Sequence, residues 1–124
     1  MVASKPEDLH PLFAEAVSSG DVEALLSLFE PEAKLVSQPG QVAEEAAAIR
    51  EALQPLLSLH GKMVVETQYV VSAGDIALLR GKWRCTGADP DGRSVEMQGD
   101  STEVARRQPD GRWLYVIDHP FGAD

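Results

Sequence analysis

Apolar and polar residues alternate with one period in the first half of this chain and with another in the second. From Pro6 to Ser18 the apolar positions return every three or four residues. Leu9, Leu12, Phe13, Ala16 and Val17 share one stripe, the spacing of an amphipathic helix. Ser4 is a suitable N-cap, Pro6 suits the first turn, and Ser18-Ser-Gly20 ends the helix. Asp21 caps a second helix with the apolar face Val22, Leu25, Leu26 and Phe29, and Pro31 stops it. Ala33 to Ser37 is short and β-like. A third helix is expected from about Val42 to Leu57, with Pro55 kinking it or ending it early. From Lys62 onward the period falls to two. Met63–Val71, Ile76–Thr86, Ser94–Arg106 and Trp113–Asp118 read as four antiparallel strands, the last two joined by a Pro-Asp-Gly turn. Helices gathered before strands, without βαβ alternation, predict an α+β fold. No repeat, low-complexity run or linker interrupts residues 1–124, so one domain is expected.

Composition narrows the choice of partners. The 44% hydrophobic content is that of a globular chain, and no apolar run approaches the roughly 20 residues of a membrane span. Met1-Val-Ala-Ser-Lys-Pro-Glu7 lacks the apolar core of a signal peptide, so a cytoplasmic location is expected. Twenty acidic against 11 basic residues give a net charge of −9, which repels phosphate backbones and anionic lipid. Neither nucleic acid nor membrane is an expected partner. Cys85 is the single cysteine and falls inside a strand pattern, where a buried inert thiol is the common outcome. His10, His60 and His119 have no metal-ligand spacing, so no metal is expected. His10 and His60 fit structural roles at helix ends, while His119 is a candidate proton carrier. With no Gly-x-Gly-x-x-Gly, Walker loop or Gly-x-Ser-x-Gly elbow, no cofactor is expected either.

Three stretches carry a family likeness: Phe13-Ala-Glu-Ala-Val-Ser-Ser-Gly-Asp21, Leu28-Phe-Glu-Pro-Glu-Ala33 and Ala48-Ile-Arg50. With the ending Arg106-Arg-Gln-Pro-Asp-Gly-Arg-Trp-Leu-Tyr-Val-Ile-Asp118, the chain resembles the nuclear transport factor two-like superfamily. Its ending is similar to the SnoaL-like and ketosteroid-isomerase-like branch with no assigned reaction. The resemblance implies a cone-shaped, cystatin-like fold with three N-terminal helices on a curved, mainly antiparallel sheet. It also implies a homodimer. Ketosteroid isomerase uses a helix-one tyrosine, a general-base aspartate after the first short strand and a protonated aspartate on the third long strand. This chain has Phe13, Ser37 and Asp100 at those positions. Phenylalanine has no proton to donate and serine is no base near neutral pH, so steroid isomerisation by that mechanism is not expected.

Strand alternation puts Gln98, Asp100, Thr102 and Val104 on one face, with Met97, Gly99, Ser101 and Glu103 on the other. With Asp100 facing the cavity, as the resemblance implies, Gln98 and Thr102 face it too. On the last strand the same alternation gives Leu114, Val116 and Asp118 to the cavity. It gives Trp113, Tyr115, Ile117 and His119 to the other face. Asp100 and Asp118 are then a candidate acid/base pair. Alternatively, Asp100 pairs with an arginine and Asp118 caps the chain end. Arg80, Lys82 and Arg84 share one face of their strand, and Leu79, Gly81, Trp83 and Cys85 the other. Either face could line the cone, so Arg80 and Trp83 are both candidate ligand contacts with Phe13, Ser37, Gln98, Thr102 and Val116.

Two functions follow as expectations. One is binding of a small, apolar, oxygen-bearing molecule, with proton transfer of the isomerase, cyclase or dehydratase kind. The other is a non-catalytic dimerising or ligand-binding module working through its sheet face, with Trp83, Trp113 and Tyr115 as aromatic anchors.

Overall fold

A computed structural model describes residues 2–38 and 40–122. A 3₁₀ turn, Pro6–Asp8, leads into helix α1, Leu9–Ser19. Ser4 does not cap the helix. Its backbone and hydroxyl donate instead to the Asp8 carboxylate, at 3.2 and 3.3 Å, which tightens the turn ahead of α1. Helix α2, Val22–Leu26, is capped as expected by Asp21, whose carboxylate accepts from the Ala24 amide at 3.0 Å.

Strand β1, Phe29–Gln38, begins earlier than the expected Ala33 and takes in Pro31. Proline is tolerated there because the pairing with the last strand skips between Phe29 and Lys34, so no ladder bond is lost at Pro31. Strand β2, Gln41–Glu44, replaces the expected first turn of the third helix, and helix α3 runs Glu45–Leu57. Pro55 lies so near the C-terminus of α3 that the helix continues only to Leu57 beyond it.

The remaining strands are β3, Lys62–Ala73; β4, Ile76–Ala88; β5, Ser94–Arg107; and β6, Trp113–His119. They form a six-stranded sheet in the order β2-β1-β6-β5-β4-β3, antiparallel except for the β1–β6 pair. Helix α1 packs over β3 and α3 over β1, leaving a space between helices and sheet. This is the α+β cone that the pattern and the resemblance imply. Two strand connections use the same chemistry. In Asp89-Pro-Asp-Gly-Arg93 and Gln108-Pro-Asp-Gly-Arg112 the first residue's amide donates to the arginine carbonyl, at 2.9 and 2.7 Å. Gly92 and Gly111 sit at φ 81° and 90°, a conformation that costs a side-chain-bearing residue.

Candidate functional site

Between α1, α3 and the sheet lies a cavity of about 330 Å³, a size suited to a small organic ligand. Its walls are apolar and aromatic: Phe13, Leu53, Leu56, Trp83 and Phe121 among them. The ionisable groups lining it among the described residues are His10, Glu103, Tyr115 and Asp118, with no lysine or arginine.

Which strand face lines the cavity is decided by β4. Leu79, Gly81, Trp83 and Cys85 are buried beneath the helices, so Arg80, Lys82 and Arg84 fall on the outer face. Trp83 lines the cavity and donates from Nε1 to the Pro120 carbonyl at 2.8 Å, anchoring the segment after β6. Register then fixes β5. Trp83 pairs with Gly99 and Gly81 with Ser101, which brings Met97, Ser101 and Glu103 inward. Asp100 therefore lies on the outer face, opposite Lys82, with Gln98 opposite Arg84 and Thr102 opposite Arg80. The inward placement expected for Asp100, Gln98 and Thr102 is corrected: these residues and Arg80 do not line the cavity. Arg80 instead stacks over the Tyr69 ring, 5.8 Å from its centroid.

On β6 a bulge interrupts the alternation. Val104 pairs with Ile117 but Ala105 pairs with Tyr115, so Val116 is an extra residue. Tyr115 and Asp118, three positions apart, therefore both face inward, while Val116 is half-buried and does not line the cavity. Of the expected contacts, Phe13, Ser37, Trp83 and Asp118 do line it. Ser37 sits at the β1 end, its hydroxyl 3.5 Å from the Gln41 carbonyl.

Asp118 finds a carboxylate beside it, but the partner is Glu103, its register neighbour on β5. His10, Glu103 and Asp118 are 2%, 5% and 3% exposed, so this polar cluster is sealed from bulk water. His10 Nε2 lies 2.9 Å from Glu103 Oε1, and Nδ1 lies 2.8 Å from Thr67 Oγ1. The imidazole rests against Gly81, where a Cβ would come within 2.9 Å of His10 Cε1. Burial first, and the Glu103 charge second, push the Asp118 carboxyl well above its ordinary value. Burial, then Glu103 and Asp118, likewise push up the Tyr115 phenol. Tyr115 packs edge-on to Phe13 at 6.2 Å, so a phenol from β6 stands beside the ring that offers no proton. Burial also raises the Cys85 thiol, which does not line the cavity.

Sequence reasoning passed over His10, Glu103 and Tyr115 as site residues. Glu103 and Tyr115 were assigned to the wrong face, one by the Asp100 correspondence and the other by unbroken alternation. The usable signal was Gly81 and Gly99 on the Trp83 face, since glycine inside a strand marks a close approach by another group.

Comparison with known proteins agrees with this fold. Among solved structures, similar folds include a conserved protein from Planctomyces limnophilus, with TM-score 0.81, 17% identity and coverage of 93% of this chain and 91% of that one. A ketosteroid isomerase-like protein from Erwinia carotovora atroseptica gives 0.78 and 19%, covering 91% and 89%. An NTF2-like superfamily protein from Salmonella enterica gives 0.75 and 18%, covering 90% and 84%. These likenesses show a shared fold, the α+β cone. No protein of curated description matches the sequence. The family of SnoaL-like domains matches residues 12–116, and the chain belongs to that family.

Proposed function

We propose that the protein binds a small apolar carbonyl compound in its cone and moves a proton on it. The observation carrying this reading is the buried Glu103–Asp118 pair, set side by side in an apolar cavity of ligand size. Two carboxylates so close cannot both ionise cheaply, which divides them into an acid and a base. In this reading the protonated Asp118 and the Tyr115 phenol donate to the carbonyl oxygen. Glu103 removes a proton from the adjacent carbon through the oxygen that His10 leaves free. The C–H bonding pair moves into the enolate, whose oxygen is met by the two donors. Return of the proton to another carbon isomerises the compound; departure of a β-hydroxyl as water dehydrates it.

The test uses bicyclic ketones such as 1-tetralone in D₂O. Binding is read from quenching of tryptophan fluorescence, Trp83 being the tryptophan that lines the cavity, and proton transfer from loss of the α-proton NMR signal. Exchange above the buffer rate is expected, falling about 100-fold or more in Asp118→Asn. Ketones that bind without accelerated exchange would refute the catalytic reading and leave a binding protein.

A second reading, dimerisation through the sheet, is favoured by a different observation. Tyr69, Val71, Leu78 and Ile117 are exposed at 45%, 57%, 37% and 40%, and register aligns Val71, Leu78, Val104 and Ile117 across four strands. The anchors are these residues rather than Trp83, Trp113 and Tyr115, which are all buried in the core.

A further inference from the structure

The two carboxylates of the cavity have almost the same ordinary proton affinity, yet their surroundings differ. Glu103 has a hydrogen-bond donor within reach: the His10 imidazole, delivered by α1, with Nε2 at 2.9 Å. Asp118 has none of that kind among the described residues. Facing it are Glu103 from β5 and Tyr115 from its own strand. Its β1 register partner is Leu35, and α3 sends Leu53 and Leu56 into the cavity. The strand cations Arg80, Lys82 and Arg84 lie behind the sheet.

We propose that His10 is the positioning residue that decides which of the two carboxylates carries their shared proton. By donating from Nε2 it favours Glu103 in the carboxylate form, and the proton is left on Asp118. Both ring nitrogens have oxygen partners, Glu103 on one side and the Thr67 hydroxyl at 2.8 Å on the other, so an imidazolium can donate through both. The seat is built for the ring. Gly81 has no Cβ, and the nearest atoms to one would be His10 Cε1 at 2.9 Å and Nε2 at 3.3 Å. Thr67 is held opposite Gly81 on β3, immediately before the irregularity at Gln68. Three elements therefore converge on one imidazole. Without it the pair would share its proton between two near-equal sites, and acid and base would no longer be distinct.

This inference rests on the proton-transfer site described above, but its test needs no substrate. The carboxyl carbons of ¹³C-labelled protein are followed by NMR through a pH titration. In the wild type the Asp118 carbon is expected to move in a single step well above the ordinary aspartate range. In His10→Phe, which fills the ring's seat but has no donor, it is expected to move in two steps of comparable size, as Glu103 takes a share of the proton. Thr67→Val, which keeps the shape of Thr67 but removes the acceptor for Nδ1–H, is expected to displace the Asp118 step downward, and Thr67→Ser to restore it. If His10→Phe does not fold, Thr67→Val decides. An Asp118 titration unchanged in every folded variant would overturn the proposal. The predicted titrations without ketone exchange would leave the proton assignment standing and remove only the reaction class.

Discussion

At the scale of single residues, the site depends on atoms that are missing. Gly81 lets an imidazole lie against β4, and Gly99 makes room for Pro120, Phe121 and the Trp83 indole, each with an atom 2.9 Å from where its Cβ would stand. The two positions differ in what must yield. At Gly81 the obstacle is the His10 ring, which α1 holds in place. Gly81→Ala is therefore expected to cost about 1–3 kcal/mol of stability, the range for overpacking a close-packed interior, and to break the His10–Glu103 contact. Urea denaturation and the His10 ring resonances check both. A variant as stable as the wild type, with the ring resonances unmoved, would show that the seat is looser than the distances imply.

At the scale of elements, one bulge and one glycine pattern orient the whole site. The extra residue at Val116 turns both Tyr115 and Asp118 inward, which an unbroken strand could not do. The same sheet turns an apolar row outward across β3, β4, β5 and β6. If that row seats a second copy, the double variant Leu78→Asp, Ile117→Asp should convert a dimer to a monomer. Sedimentation velocity would show the change, with the cavity's ketone binding retained. A wild type that sediments as a monomer at high concentration would remove the dimer reading without touching the site.

At the scale of the molecule, the buried carboxyl links stability to pH. The folded Asp118 holds its proton more tightly than the unfolded chain does. Between the ordinary aspartate range and the raised folded value, the native state therefore binds more protons than the unfolded state. Stability from this group is complete at the acid end of that window and is lost as pH rises through it. Asp118→Asn cannot titrate, so the difference in unfolding free energy between variant and wild type should widen in the variant's favour as pH rises. Denaturation curves at several pH values measure it. The variant would gain stability near neutral pH and lose proton transfer. A difference independent of pH would mean that Asp118 ionises as freely in the native state as in the unfolded chain.

The sequence by itself determined the elements that depend on near neighbours. Helical and strand periods, the Asp21 cap and the Pro-Asp-Gly turns are set by contacts within a few residues, and each was legible. The family likeness carried the cone and the positions of Phe13 and Ser37 at its wall; strand alternation put Asp118 there, by an unbroken count that also put Val116 inward in place of Tyr115. Local pattern did not reveal which face of β5 would be buried, because both of its faces mix apolar and polar residues; on β4 the Leu79, Gly81, Trp83 and Cys85 face is apolar, a signal opposed by the Asp100 correspondence. Burial of Leu79, Gly81, Trp83 and Cys85 on the cavity side of the sheet chose the face, and register then carried that choice to Glu103 and away from Asp100. The β6 bulge was likewise invisible, since it is an offset between two strands and not a property of either one. His10 joins Glu103 across 93 positions of sequence, and only the folded chain brings the two within hydrogen-bonding distance.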